Sequence, residues 1–205
     1  MSGVARVSIM RKGMPALAAG ALAAVLMSGC STTPLSDTFD LAAPAVSTDR
    51  SAHRRQILVP VPTAIKAINS EKIVVRVSPS EVQYLSGSQW SDTLPRMVQA
   101  KLVQAFEATG KLGGVGVPGQ GLAIDEQVVT EIRTFEVQAY GGVKQANIAI
   151  SVKILNDRNG SVRATKLFTA TAPVTGSEAP AFVDGLDRAF ADIASQIVTW
   201  SLGVI

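Results

Sequence analysis

The sequence predicts an α+β domain in which two amphipathic helices pack on one face of a mainly antiparallel sheet. The clearest strand is Gln145–Leu155, where apolar and polar side chains alternate along the segment, as expected for a strand with one buried face. Asn156–Gly160 has the composition of a hairpin turn and leads into a second β-prone segment, Val162–Ala172. Two further segments repeat apolar residues with helical periodicity, as helices that cover a sheet do. The other face of the sheet is expected to be partly open.

The N-terminal segment has the layout of an export signal. Three basic residues between positions 6 and 12 precede an apolar run of small residues, Ala16–Met27. This run is about half of the ~20 residues that a membrane-spanning helix needs, which favours a cleaved signal. It ends at the chain's single cysteine, and Met27–Cys30 resembles a bacterial lipobox, in which the thiol is acylated and becomes the mature N-terminus. We therefore predict a lipoprotein signal peptide over residues 1–29 and lipidation, palmitate included, at Cys30.

Charge balance and cysteine count argue against two classes of protein. The chain has 19 Lys and Arg against 16 Asp and Glu, but three of the basic residues precede residue 30, so the remainder is balanced. A nucleic-acid-binding role loses its main support, because it requires a concentrated positive surface. Because the one cysteine is expected to carry lipid, no disulfide bond can form within the chain. Packing alone must therefore stabilise the fold.

Residues 30–55 are predicted to form the lipidated N-terminus and a flexible tether, and residues 56–205 the folded domain. The segment after the cysteine is rich in Ser, Thr, Ala, Pro and Asp and shows neither helical nor alternating periodicity. A flexible chain of this length has a root-mean-square end-to-end distance of about 25–30 Å. The domain could therefore lie away from the membrane surface while staying attached to it. Phe39 and Leu41 are the tether's candidates for docking on the domain.

The first half of the domain is expected to hold three short strands. Ile57–Pro62 is apolar and β-prone, but its two prolines cannot donate to a ladder, which places it at a sheet edge where a partner's strand can add. Lys72–Ser78 is a second strand, ended by Pro79, and Glu81–Leu85 is a third. The third strand leads into a polar loop over Ser86–Trp90.

A helix is predicted from Ser91 or Asp92, either of which is a suitable N-cap, to Thr109. Pro95 in its first turn and Gly110 just after its end fit the usual asymmetry of helix termini. The apolar side that should pack on the sheet comprises Leu94, Val98, Leu102, Ala105 and Phe106.

The segment Gly110–Gly121 contains six glycines and is predicted to be a loop. Within it, Gly114–Gly119 matches the G-x-G-x-x-G spacing of dinucleotide-binding loops. Such a loop must follow a strand and open a helix, so that helical N–H groups meet the pyrophosphate. This segment instead follows a helix and precedes a strand, so we reject a nucleotide site and expect no cofactor.

Two long elements complete the domain. Glu126–Tyr140 is predicted to be a strand whose apolar phase changes partway, which a bulge near Arg133–Thr134 would explain. Ser177 is the expected cap of a helix from about Glu178 to Leu202. The apolar stripe of this helix comprises Phe182, Leu186, Phe190, Ile193 and Ile197.

Residues suited to catalysis or metal binding are sparse. The only histidine, His53, lies in the tether, and the only thiol is at the lipid site, so neither a nucleophile–base pair nor a Cys/His metal site is expected. The carboxylate pairs Asp125–Glu126 and Asp184–Asp187 are interpreted as solvated groups, because the pattern gives no sign of the burial that a general acid needs. The sequence therefore predicts a protein that is not an enzyme.

The stretch Tyr84–Pro95 and the helix that follows it indicate a family. A tyrosine, a short polar loop, a tryptophan and a proline-opened helix are followed by Leu102–Glu107. Phe39–Leu41, Val75–Arg76 and a closing amphipathic helix complete the arrangement. This arrangement resembles the ABC-type transport auxiliary lipoprotein family, whose members are the lipoprotein partners of Pqi- and Mla-like systems built around MCE proteins. The resemblance covers most of the chain after the signal.

The resemblance implies a non-catalytic envelope component that helps an ABC transporter move lipid or another hydrophobic substrate between the inner and outer membranes. The implied partners are the membrane, through the lipid anchor, an MCE-type periplasmic protein, and the separate ABC permease and ATPase. Ser31 follows the lipid site where aspartate often marks inner-membrane retention. The expected location is therefore the outer membrane, facing the periplasm.

Tyr84 and Trp90 are the candidate partner-binding residues, because aromatic side chains dominate interface hot spots. The alternative is that both rings fill the junction between loop, sheet and first helix. A second function also stays open, that of a lipid-binding periplasmic carrier, which requires its own enclosed apolar pocket of roughly a few hundred Å³. The proline-bearing edge strand and the open sheet face leave room for a homo-oligomer.

Overall fold

One long strand organises the fold, and the rest of the sheet is built along its two edges. The computed structural model describes residues 36–205. The strands are β1 (Asp37–Phe39), β2 (Ala52–Leu58), β3 (Thr63–Ala64), β4 (Lys72–Ser78), β5 (Glu81–Trp90), β6 (Leu112–Gly116), β7 (Glu126–Tyr140), β8 (Val143–Asn156) and β9 (Val162–Pro173), and the helices are α1 (Leu94–Ala108) and α2 (Ala179–Val204). The long strand is β7.

The two edges of β7 carry different kinds of pairing. On one edge it forms an antiparallel ladder with β8 along its whole length, and β8 pairs in turn with β9. The other edge is shared by β2, β3 and β4, which run parallel to β7 at residues 126–127, 131–132 and 137–138 respectively. β6 extends the sheet beyond β2, and β5 and β1 extend it beyond β4. Each of the strands β2, β3 and β4 therefore lies at its own level along β7, from the first residues of β7 towards the last.

The predicted α+β class is confirmed. The ladders β4–β5, β7–β8 and β8–β9 are antiparallel, whereas the parallel pairings are short and join two to four residue pairs each. The sheet is mixed, with antiparallel pairing dominant.

The predicted bulge in β7 is also confirmed. Ile132 pairs with Ile150 of β8 and Thr134 pairs with the next residue of β8, Ala149, so Arg133 is the extra residue. Both Ile132 and Phe135 are buried as a result. The bulge therefore keeps the apolar side chains on the helix-covered face although the sequence alternation changes phase.

The helices and the inner sheet face share one hydrophobic core. The ring of Phe135 lies 6.1 Å from Trp90, edge to face, and 6.2 Å from Phe190 of α2. The two helices contact each other, and Phe168 of β9 packs against Trp200 of α2 at 5.5 Å. Every residue of the two predicted apolar sides is buried: Leu94, Val98, Leu102, Ala105 and Phe106 in α1, and Phe182, Leu186, Phe190, Ile193 and Ile197 in α2.

The folded part of the chain begins earlier than the predicted boundary at residue 56. β1 pairs with β5, β2 begins at Ala52, and Leu41 is buried with Phe39 packed partly against the core. The expected docking of these two side chains is therefore confirmed, but within a segment that belongs to the domain rather than to a tether. Sequence periodicity does not reveal β1, because three residues joined through their backbone present no alternating apolar face.

The prediction that the first strand lies at a sheet edge is wrong. β2 lies between β6 and β7. It ends at Leu58, so Pro60 and Pro62 follow the strand and leave its hydrogen bonds intact.

Two segments that were predicted to be loops contain β-strands. β5 does not end at Leu85 but continues to Trp90, with an irregular stretch at Gly87, whose φ is 64°. β6 lies inside the glycine-rich segment and pairs with β2. A Cβ at Gly113 would lie 2.8 Å from the His53 carbonyl oxygen, so glycine here permits the close approach of two backbones.

The helix ends differ slightly from those predicted. α1 is preceded by Thr93 rather than by Ser91 or Asp92 as N-cap, and α2 by Glu178 rather than by Ser177. Neither cap side chain accepts a hydrogen bond from the backbone N–H groups of the first turn, and both helices carry proline there. The left-handed Gly110, with φ 60°, follows α1 as predicted.

Candidate functional site

The two predicted partner-binding aromatics lie in different environments. Trp90 is 1% exposed and its ring meets Phe135 in the core. Tyr84 is 44% exposed and pairs with Val74 of β4. The indole of Trp90 therefore fills the junction between sheet and helices, and only Tyr84 can offer its ring to another molecule.

Tyr84 borders a surface cavity, which we name the β5 cavity. Its volume is about 620 Å³, and its walls are Ser36, Ser70, Glu71, Lys72, Tyr84, Leu85, Ser86, Gly87, Ser88, Gln89 and Thr93. The irregular part of β5, with the left-handed Gly87, opens a space between β5 and the start of β4. The ammonium of Lys72 lies 4.7 Å from the centroid of the Tyr84 ring. The cavity thus presents a cation and an aromatic face together.

A partly buried ion pair supports the sheet beside Tyr84. Nε and Nη2 of Arg76 donate to the two carboxylate oxygens of Glu136 at 2.5 Å and 2.9 Å, and Nη1 donates to the Pro79 carbonyl at 3.2 Å. The hydrogen bond to Glu136 raises the pKa of Arg76 above its ordinary value. Because Glu136 neutralises it at bidentate geometry, Arg76 joins β4 to β7 and leaves little free charge for a ligand.

A second polar cluster, the Asp125 cluster, lies at the other end of β7. Asp125 accepts a hydrogen bond from the Gln56 backbone N–H at 3.1 Å and another from Arg158 at 3.2 Å, and Arg55 lies 3.6 Å away. The Gln56 N–H, and then the two arginines, hold the pKa of Asp125 below its ordinary value. Asp125 therefore links β2 to the β8–β9 turn.

Glu126, the next residue, is fully buried, so the interpretation of this carboxylate as solvated is wrong. Nη2 of Arg163 lies 2.7 Å from Glu126 Oε1, close enough for an ion pair although the angle does not make a regular hydrogen bond. Arg163 reaches Glu126 because β9 is irregular at this point: Leu155 of β8 pairs with Val162 and Ile154 with Ala164. The bulge could not be read from the sequence, and the partnership of Arg163 with Glu126 depends on it.

Some of the remaining residues considered in the sequence analysis lie within the part of the chain that the structure describes, and others lie outside it. Within residues 36–205, no group of three or more His, Cys, Asp or Glu side chains is placed to hold a metal ion. Asp184 pairs with Arg188, and Asp187 accepts a hydrogen bond from the Ala42 N–H at 2.7 Å. Over the same span no helix is long and apolar enough to cross a membrane. The signal peptide and Cys30 lie outside the described residues.

Comparison with known proteins places the chain in a family. The family model of ABC-type transport auxiliary lipoprotein components matches residues 38–198. The crystal structure of protein XCC0632 from Xanthomonas campestris superposes with a TM-score of 0.76 at 25% identity, over 82% of this chain and 95% of that one. The crystal structure of an uncharacterized protein superposes with a TM-score of 0.63 at 16% identity, over 80% of this chain and 97% of that one, and shows the fold alone.

A curated relative from Bradyrhizobium diazoefficiens, the uncharacterized protein bll6063, is 28% identical over 158 residues. The match covers 71% of this chain and 39% of the relative, so the chain spans well under half of that protein's length. The matching family is described as the auxiliary lipoprotein component of ABC-type transport. On the strength of a match that spans nearly the whole described domain, the chain belongs to the ABC-type transport auxiliary lipoprotein components.

Proposed function

We propose that the protein is a non-catalytic, membrane-anchored accessory lipoprotein of an ABC- and MCE-type transport system that moves lipids or other hydrophobic substrates across the bacterial envelope. It acts by docking to periplasmic components of that system. The observation that carries the proposal is the family match over residues 38–198. The proposed partners are an MCE-type periplasmic protein and the ABC permease and ATPase.

The filled core supports a docking role over that of a lipid carrier. Five aromatic side chains, Trp90, Phe106, Phe135, Phe168 and Phe190, are at most 2% exposed and occupy the space between sheet and helices. A carrier needs an enclosed apolar cavity, whereas the β5 cavity is open to solvent and lined largely by polar residues.

The N-terminal sequence supports attachment to the envelope. Cleavage before Cys30 and acylation of its thiol give a membrane anchor, and Ser31 favours the outer membrane with the domain in the periplasm. Self-association into a homo-oligomer is compatible with this arrangement and forms part of the test.

Crosslinking in intact envelopes, followed by purification of the lipidated protein, tests the proposal. Recovery of an MCE protein, a permease or an ATPase of a transport system is the expected result, and crosslinked copies of the chain itself would show self-association. A Cys30→Ala variant, which cannot be acylated, is the matched control and should lose these partners. Recovery of the protein with bound lipid and without any transport component would contradict docking and favour the carrier.

A further inference from the structure

The folded domain begins very close to the proposed anchor. Ser36 already lines the β5 cavity, and it lies six residues after Cys30. A fully extended chain spans at most about 3.3–3.6 Å per residue, so the two residues are separated by no more than about 20–22 Å. The long flexible tether expected from the sequence is therefore replaced by a short linker, residues 31–35, which we call the leash.

This leash is short compared with the domain. A folded chain of the described length has a radius of gyration of about 15 Å, which corresponds to a diameter of about 40 Å. A lipid on Cys30 therefore confines the domain so that only the half carrying Ser36 can touch the bilayer. The far end is held away from it.

The surface in the near half has the composition of a membrane interface. Tyr84 and Val82 are exposed on β5, at 44% and 37%, and Lys72 lies over the tyrosine ring. Tyrosine has an apolar body and a polar tip and is enriched where membranes meet water. Lysine covers apolar surface with its stem while its ammonium stays hydrated.

We propose that the surface formed by Lys72, Val82 and Tyr84 lies against the phospholipid bilayer that holds the Cys30 anchor, with the Tyr84 ring at the level of the headgroups. The inference rests on the proposed lipidation of Cys30. Asp37, Glu71 and Glu81 lie on neighbouring strand and loop positions, so the contact is not a general attraction to anionic lipid. It depends on the aromatic ring and the short leash, and it is therefore insensitive to salt.

The strand register supplies a matched pair of reporter sites. Val82 pairs with Arg76, which pairs with Gln138 of β7. Val162 pairs with Leu155, which pairs with Gln127 of β7. At about 3.3 Å per residue along β7, the two valines lie at levels about 35 Å apart. Both are exposed, Val162 at 55%, so either accepts a probe without disturbing the core.

The test places a nitroxide probe on Val82→Cys or Val162→Cys in the full lipidated protein, reconstituted in vesicles of phosphatidylcholine and phosphatidylethanolamine. Collision with a water-soluble nickel chelate should fall at position 82 when the protein binds vesicles, and should be unchanged at position 162. Equal exposure at both positions, or protection at 162 alone, overturns the proposal. Protection at 82 that requires a protein from the envelope, and is absent with lipid alone, also overturns it.

A second pair of substitutions tests the tyrosine itself. Tyr84→Ser, in the protein labelled at position 82, should lose part of the protection. Leu167→Ser is the control, because Leu167 is 48% exposed on β9, which lies across β8 and β7 from β4 and β5. Unchanged protection in Tyr84→Ser removes the ring from the contact and overturns its assignment.

Failure of this inference can be distinguished from failure of the proposed function. Mass spectrometry of the mature N-terminus shows whether Cys30 carries lipid. A lipidated, vesicle-bound protein with equal probe exposure loses only the surface assignment and keeps its anchor. An unmodified thiol at Cys30 removes the anchor and the surface assignment together, and crosslinking to transport components remains an independent result.

Discussion

The two ends of the sheet use polar side chains in opposite ways. At the Asp125 cluster, arginines and carboxylates neutralise one another and connect β2, β7 and the β8–β9 turn. At the β5 cavity, Tyr84 is exposed and the side chain of Lys72 meets only an aromatic face among the pairings described. The comparison shows that charged side chains can be concentrated where they pair with one another inside the fold. The surface that we propose as the contact lies at the end with fewer ion pairs, where Tyr84 is exposed.

The largest expected effect comes from the aromatic residue of β5 that is buried. Trp90→Ala should lower the free energy of unfolding by about 3–5 kcal/mol, because it leaves a cavity beside Phe135. Chemical denaturation of the domain measures this loss. A variant of near wild-type stability would mean that Trp90 does not fill the core.

The next effect tests whether the ion pairs at the Asp125 end are structural. Arg163→Met should cost about 3 kcal/mol of unfolding free energy, because it leaves the fully buried Glu126 carboxylate without its partner. Arg133→Met is the control, since its pair with Glu131 is half exposed and exposed pairs contribute about 0–1 kcal/mol. The double variant Glu126→Gln with Arg163→Met should recover part of the loss. A cost in Arg163→Met no greater than that in Arg133→Met would show that Glu126 does not depend on this partner.

A smaller effect concerns acid stability. The lowered pKa of Asp125 means that its contribution to folding is complete above the ordinary aspartate value, about pH 4, and is lost as the pH falls through the lowered folded-state pKa. Unfolding free energy measured from pH 6 down to pH 2 should therefore fall less steeply below about pH 4 in Asp125→Asn than in the unaltered protein. Asp184→Asn, which removes a carboxylate from an exposed helix position, is the matched control. Parallel curves for Asp125→Asn and the unaltered protein would contradict the assignment.

The smallest effect on stability is expected at the other aromatic residue of β5. Tyr84→Ala should change the free energy of unfolding by about 0.5 kcal/mol, because it removes an exposed ring and one cation–π contact. The same denaturation experiment that measures Trp90→Ala checks it. A loss comparable to that of Trp90→Ala would make Tyr84 a packing residue and end the contrast between the two aromatics.

Much of the fold could be predicted because long amphipathic strands and helices place apolar residues at a regular spacing, which shows in the sequence which face is buried. The strands β7, β8 and β9, the bulge near Arg133 and both helices were predicted from apolar periodicity together with turn and cap residues. The elements that were missed share a different origin. β1, the first residues of β2, and β6 are fixed by backbone pairing, and their few apolar side chains, such as Phe39, Leu112 and Val115, stand isolated among polar, charged or glycine positions.

The candidate site was predicted only in part, for a related reason. The sequence singled out both Tyr84 and Trp90 as candidates for partner binding, because both are aromatic residues of the Tyr84–Pro95 stretch. The irregular stretch of β5 at Gly87 separates them, so that one ring enters the core and the other faces solvent. The contact of Lys72 with Tyr84 depends on the β4–β5 register, which local sequence does not specify.

The sequence by itself determined the fold class, the family and the residues that form the core, since burial of apolar side chains follows a period that can be counted. Only the tertiary structure decided where the domain begins, how few residues separate it from Cys30, which aromatic ring is exposed and which carboxylate is buried. These depend on backbone hydrogen bonds and ion pairs between segments far apart in the chain. Such interactions leave no local periodicity, because each is completed by a partner that the fold brings into place.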